Sequence, residues 1–152
     1  MTSKIASLAE AIALVRNGDT VALGGHTLRR HPMAAAAEII RQRKSDLHVL
    51  GWNSGIEFDL LVGAGCVKIV ETSYVGISGF GLAKNYRRAA ESGEIEIREH
   101  SEISALDMFR AGASGMSCSW YRTTSSPLPS QRFPIGAAGG TWKAIATSVS
   151  RS

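Results

Sequence analysis

The sequence predicts an α/β fold: an open, mostly parallel sheet with helices on both faces. Three observations point there. Four short apolar runs, within TVALGG, LHVLGWNSG, VKIVETSYVG and EIEIREH, have the length of strands. Segments with helical periodicity separate them, and strict alternation of strand and helix signals a parallel sheet. Glycines recur where elements should end.

Taken in order, SLAEAIALVRNGD reads as a helix. Ser7 is placed to cap it, Glu10 stands at the capping-box position and Gly18 closes it. Leu8, Ile12 and Val15 form its apolar stripe. TVALGG is a short buried strand, and Pro32 suits the first turn of the helix PMAAAAEIIRQR because its missing N–H costs nothing there. LHVLGWNSG reads as strand then loop, and EFDLLVGAG as a short helix. VKIVETSYVG reads as one strand, and AKNYRRAAESG as a helix closed by Gly93. EIEIREH alternates like a strand with one wetter face. SEISALDMFRAGASG follows as a helix capped by Ser101.

This organisation covers residues 1–115 as one domain. Residues 116–152 form an irregular, basic, Ser/Pro-rich tail with three of the four prolines and no acidic residue. Two readings of the tail stand side by side: a disordered extension, or a frame-shifted product, because composition changes abruptly in mid-domain.

With 152 residues the chain is long enough for one real core. No apolar stretch approaches the roughly 20 residues of a membrane span, and Glu10 and Arg16 interrupt the N-terminal segment where a secretory signal would be apolar. The net charge of +4 belongs to the tail: residues 1–107 hold all 13 acidic and 12 of the 17 basic residues. The body therefore lacks the cationic face that nucleic acid requires. Cys66 and Cys118 are far apart, and the four histidines have no ligand spacing, so neither a disulfide framework nor a metal site is expected. A cytoplasmic setting follows as the default.

The stretch most open to chemistry is VALGGHTLRRHP. Ligands of parallel sheets sit beyond the carboxyl ends of strands. Bare backbone at Gly24 and Gly25 admits close approach, and the N–H groups of such a loop favour anionic oxygen. Arg29, Arg30 and His31 add positive charge. The competing reading is a simple tight turn.

NGDTVALGGHTLRRHP also resembles the glycine-loop signature of family I coenzyme A transferases. Asn17, Gly18, Val21, Ala22, Leu23, Gly24, Gly25 and Pro32 fit it, while His26 stands where Phe is usual and Arg30 where Gly is usual. GWNSGIEFDLLVGAGCVKIVETSYVG and NYRRAAESGEIEIREHS extend the similarity, nearest the A subunits of glutaconate CoA-transferases, over residues 5 to 115. The resemblance implies an open α/β sheet of the same kind. It implies that Gly24 and Gly25 supply backbone donors to the oxyanion of an acyl intermediate, with His26 and Thr27 lining the acyl-CoA loop. Trp52, Asn53, Ser54, Gly55 and Tyr74, at the ends of the next two strands, become candidate pocket residues, or else turn and core residues.

The family's nucleophile is a glutamate in a Ser-Glu-Asn-Gly motif on the B half, which this chain lacks. The resemblance therefore implies an A subunit, inactive by itself, that forms a hetero-oligomer with a B subunit. Coenzyme A thioesters and carboxylic acids are its substrates, with no permanently bound cofactor. Related hydrolases open rings in steroid-derived CoA esters with an A-subunit glutamate just after the fourth strand, where Glu102 falls. Glu102 is thus either a base, partly buried near the strand ends, or an ordinary first-turn acid. The abrupt tail keeps a third possibility open, a non-catalytic truncated remnant.

Overall fold

The computed structural model describes residues 5–115, together with the backbone of segments 118–121, 131–134 and 143–144. Helix α1 (Leu8–Ala13) starts at the expected capping box: Ser7 Oγ accepts from the Glu10 N–H, and the Glu10 carboxylate accepts from the Ser7 N–H at 2.8 Å. It stops well before Gly18, because the Arg16 N–H turns to the Asp19 carboxylate at 2.9 Å instead of an intrahelical carbonyl. Ile12 and Val15 are fully buried all the same.

Strand β1 (Thr20–Ala22) leads through the glycine loop to α2 (Met33–Arg41), with Pro32 at the N-cap rather than inside the first turn. β2 (Leu47–Leu50) follows, and then the expected loop WNSG contains a two-residue strand, β3 (Asn53–Ser54), before α3 (Ile56–Gly63). The single strand expected over VKIVETSYVG is two, β4 (Val67–Thr72) and β5 (Tyr74–Ile77). They part at Ser73, where the Thr72 hydroxyl (2.9 Å), the Ser73 hydroxyl and the Ser73 N–H (3.1 Å) all bond the Trp52 carbonyl. That knot peels the chain off the main sheet. β6 (Gly81–Leu82) pairs back on β5, and α4 (Lys84–Ser92) ends at Gly93 as expected. β7 (Glu96–Glu99) is exposed along its whole length rather than on one face, as befits an outer strand. α5 (Glu102–Ala113) is capped by Ser101 Oγ.

The expected irregular tail lies mostly outside the described residues. Its described pieces are three short strands: β8 (Cys118–Tyr121) and β9 (Gln131–Pro134), antiparallel to each other, and β10 (Lys143–Ala144), which runs parallel to β1.

The main sheet has the order β10-β1-β2-β4-β7 with every neighbour parallel, so the fold is an open α/β sheet flanked by helices. A second sheet, β3-β5-β6, stands at its carboxyl end. Alternation along the strands sorts the two faces. Val21, Leu47, Val49 and Val70 join Ile39, Phe58 and Leu61 in one core beneath α2, α3 and α4, which pack side by side. Each such side chain contributes about 1.5–3 kcal/mol by leaving water. His48 and Glu71 face away from that core, as does α5, which buries Ala105, Met108 and Ala111 apart from it.

Candidate functional site

Val21 and Leu23 anchor the glycine loop from below, and the Leu23 N–H completes the sheet ladder on Leu50. Beyond this point the chain leaves the sheet, so the next amides lose their ladder partners. The Gly24 and Gly25 N–H groups donate to nothing among the described residues. Gly24 is exposed and Gly25 half-buried. The following amides are committed: His26 and Arg29 exchange backbone bonds at 2.9 Å, and the Thr27 N–H donates to the Asn53 carbonyl at 3.0 Å. Among the described residues the bend thus leaves the Gly24 and Gly25 donors unengaged while the His26, Thr27 and Arg29 amides are committed. Thr27 and Arg30 hold left-handed backbone, φ 53° and 61°, which costs a β-branched residue such as threonine about 1–3 kcal/mol.

A cleft of about 440 Å³ lies against this bend, lined by Gly25, His26, Arg29 and Arg30. Of the sequence-predicted residues, Gly24, Gly25 and His26 are therefore at or beside it. The His26 ring packs on the Trp52 ring with centroids 5.2 Å apart. Asn53, Ser54 and Gly55 are buried beneath the loop. Asn53 braces Thr27 through its carbonyl, and its side-chain amide donates to Glu102 Oε1 at 3.2 Å. Ser54 Oγ meets the Thr72 hydroxyl at 3.5 Å, and Gly55 packs so close that a Cβ would overlap the Thr27 carbonyl oxygen. Tyr74, although paired in register with Asn53, lies in a different cleft of about 470 Å³, with Leu82 and Tyr86 among its walls. Glu102 is brought next to the loop's support by Asn53, but it is exposed rather than partly buried, because it occupies the first position of α5. The Trp52 Nε1 donor and Asn53 Oδ1 acceptor are both buried without a partner among the described residues.

Two further residues belong to the site, and sequence reasoning gave one of them another role and missed the other. His31, read as loop charge, is turned inward with its side chain 5% exposed, and Glu57 in the first turn of α3 is fully buried. His31 Nε2 lies 2.8 Å from the Thr27 carbonyl, and Nδ1 lies 2.9 Å from Glu57 Oε1. A carbonyl only accepts, so Nε2 carries a proton. The contact at Nδ1 is an ion-pair distance rather than a well-directed hydrogen bond, and Nδ1 has no hydrogen-bond partner among the described residues. Burial pushes the Glu57 carboxyl above its ordinary range, an effect His31 partly offsets. Glu57 Oε1 also accepts the Gly55 N–H at 3.2 Å. The signal available in the sequence was Glu57 itself, an acid in an apolar helical stretch.

The whole arrangement can receive an anionic oxygen at two backbone donors, with two arginines on the same cleft. Among the described residues no helix is long and apolar enough to cross a membrane.

Comparison with known proteins identifies the family. The profile of the family described as Coenzyme A transferase matches residues 5–133, running past residue 115, where the resemblance read from the sequence ends. The A subunit of 3-oxoadipate CoA-transferase from Pseudomonas knackmussii is 40% identical over 132 residues, 84% of this chain and 46% of that protein. The A subunit of glutaconate CoA-transferase from Acidaminococcus fermentans is 38% identical over 116 residues, 75% of this chain and 36% of that protein. The cholesterol ring-cleaving hydrolase IpdA subunit of Mycobacterium tuberculosis is 35% identical over 103 residues, 67% of this chain and 35% of that one. Among solved structures, glutaconate coenzyme A-transferase from Acidaminococcus fermentans superposes with a TM-score of 0.76 at 35% identity, covering 82% of this chain and 40% of that chain. The chain spans less than half the length of these curated relatives. A family profile over most of the chain, relatives at this identity and the same α/β sheet lead to one conclusion: the chain belongs to the coenzyme A transferase family.

Proposed function

We propose that this chain is the A subunit of an acyl-CoA:carboxylate CoA-transferase and that its glycine loop is the oxyanion site. The observation that carries the proposal is the pair of adjacent amides, Gly24 and Gly25, unengaged among the described residues and beside a cleft at the carboxyl end of β1. A B subunit supplies the nucleophilic glutamate that this sequence lacks. In the first step that carboxylate attacks the thioester carbonyl carbon and the carbonyl oxygen takes up the negative charge. Two preorganised N–H donors aimed at that oxygen lower the barrier; removing one oxyanion-hole donor from an acyl-transfer site costs about 10²–10³ in kcat. The C–S bond then breaks, leaving a mixed anhydride and the coenzyme A thiolate. The thiolate attacks the glutamyl carbonyl, releases the free acid and forms glutamyl-CoA. An incoming carboxylate reverses these steps. No permanently bound cofactor takes part. Arg29 and Arg30 on the same cleft suit an acyl group with a second carboxylate, in keeping with relatives named for 3-oxoadipate and glutaconate.

The second reading, a CoA-ester hydrolase, is favoured by one observation: Glu102 is exposed to water and tied to the loop's support through Asn53. The ring-cleaving hydrolase relative lends it support.

The test uses Gly24→Ala in the complex with a B subunit. Nothing lies within 4 Å of a Cβ placed at Gly24, so the fold is expected to be unchanged. The methyl group occupies the space over the free amides, and CoA transfer is expected to fall at least about tenfold. Unchanged transfer would remove the oxyanion role. Glu102→Gln in the same assay separates the readings: the transferase keeps its rate, whereas a Glu102-dependent hydrolase loses it.

A further inference from the structure

The bend carrying the free amides is held from behind by a chain of contacts running into the interior. Glu57 is fully buried in the first turn of α3, His31 stands against it at 2.9 Å, and His31 Nε2 donates to the Thr27 carbonyl at 2.8 Å. Thr27 is the left-handed residue two positions after Gly25. The ring fills the space that a side chain on Gly25 would occupy. The same Glu57 oxygen receives the Gly55 N–H, and Gly55 in turn packs against the Thr27 carbonyl. A buried carboxylate–imidazole pair is a costly device, because each charge loses hydration worth several kcal/mol. Helix packing alone offers no reason to keep it, since an apolar pair of similar volume would serve.

We propose that Glu57, acting through His31, is a positioning residue that fixes the strained bend so that the Gly24 and Gly25 amides point at the reacting oxygen. The inference rests on the oxyanion reading of the loop. Thr27 cannot hold its backbone conformation without strain, and His31 on its carbonyl, with the Thr27 N–H on Asn53, supplies the restraint from both ends. A misplacement of about 1 Å at such a site costs on the order of 10²-fold in rate.

Glu57→Gln is the discriminating change. Glu57 Oε1 accepts the Gly55 N–H and lies 2.9 Å from His31 Nδ1, and an amide in its place can keep the first contact but removes the negative charge that holds the ring. In the complex with a B subunit, the expected result is a loss of kcat of at least about tenfold with KM for the acyl-CoA within about threefold. Amide hydrogen exchange at Thr27 should accelerate, while exchange in the β1–β2 ladder stays as it was. Should Glu57→Gln fold poorly, His31→Phe/Glu57→Gln keeps the ring volume and an acceptor for Gly55 without a buried charge, and the same kinetic loss is expected. Unaltered exchange at Thr27 would overturn the proposal, as would faster exchange with unchanged kcat, or a lost rate explained entirely by lost assembly. Gly24→Ala separates the two ideas. If it abolishes transfer while Glu57→Gln does not, the oxyanion loop stands and the positioning role falls. If Gly24→Ala leaves transfer intact, both fall.

Discussion

At Gly25 the backbone takes φ 132°, and an added Cβ would overlap the inward-turned His31 ring. Both facts act against any other residue there. Gly25→Ala is expected to destabilise the protein by about 3 kcal/mol, through left-handed strain plus overpacking against a ring that cannot retreat from Glu57. Urea denaturation measures it, and a loss below about 0.5 kcal/mol, an ordinary surface effect, would show that the ring moves aside freely. The neighbouring Gly24 provides the contrast, since nothing stands near a Cβ placed on it. Two adjacent glycines thus differ: the space beside Gly24 is open, whereas the space beside Gly25 holds a side chain of the protein itself. The sequence showed that both lack side chains. It could not show which space each one keeps open, because His31 reaches Gly25 only after the loop has bent back on itself.

At the scale of the element, helix starts were legible where their caps are local. Ser7 with Glu10, and Ser101, cap α1 and α5 as their spacing implies. α4 has no side-chain cap of its own, and its orphan amides are satisfied from another helix. Asp59 of α3 accepts the Asn85 N–H at 2.7 Å and the Tyr86 N–H at 3.0 Å, and its second oxygen takes the Asn85 side-chain amide at 3.0 Å. The contact links α3, which carries Glu57 in its first turn, to α4. Asp59→Ala is expected to cost about 1–3 kcal/mol, by loss of a cap and of charge-assisted bonds to a helix N-terminus. Thermal or urea unfolding checks it, and hydrogen exchange should rise first in the opening turn of α4. No local pattern reveals this cap, because donor and acceptor are separated by 26 residues. The division of VKIVETSYVG into two strands was hidden for the same reason, since the Trp52 carbonyl that breaks it comes from a different strand end.

On the scale of the whole molecule, the sheet separates two chemistries. One face holds the apolar core, and the other carries a polar chain centred on Glu71 of β4. His48 of β2 meets Glu71 Oε2 at 2.8 Å, His100 after β7 meets Oε1 at 2.9 Å, and the Arg98 guanidinium is 3.8 Å away. Burial alone would raise the Glu71 carboxyl, but the hydrogen bond with His100 and the close His48 ring outweigh it and hold the group at about 2, below its ordinary 4.5. A depressed carboxylate stabilises the folded state in full above its unfolded value. This contribution, about 3 kcal/mol for such a shift, should therefore disappear as pH falls from about 4.5 to about 2. Unfolding free energies measured across that range should show the loss, and Glu71→Gln should flatten it while lowering stability at neutral pH. An unchanged acid limb in Glu71→Gln would assign the pH dependence to other carboxylates.

By itself the sequence determined the alternation of strands and helices, the parallel sheet, the family and the place of the glycine loop at a strand's carboxyl end. The elements and their order follow from periodicity, local caps and turn residues, which act over a few positions of chain, and the family from the resemblance of the glycine-loop segment. Only the tertiary structure decided that the Gly24 and Gly25 amides are unengaged among the described residues, that His31 turns in to Glu57, that Tyr74 lines another cleft and that Glu102 meets Asn53 in the open. Each of those outcomes depends on groups brought together from distant stretches of chain, and hydrogen bonds and burial between them carry no mark in the local pattern of either partner.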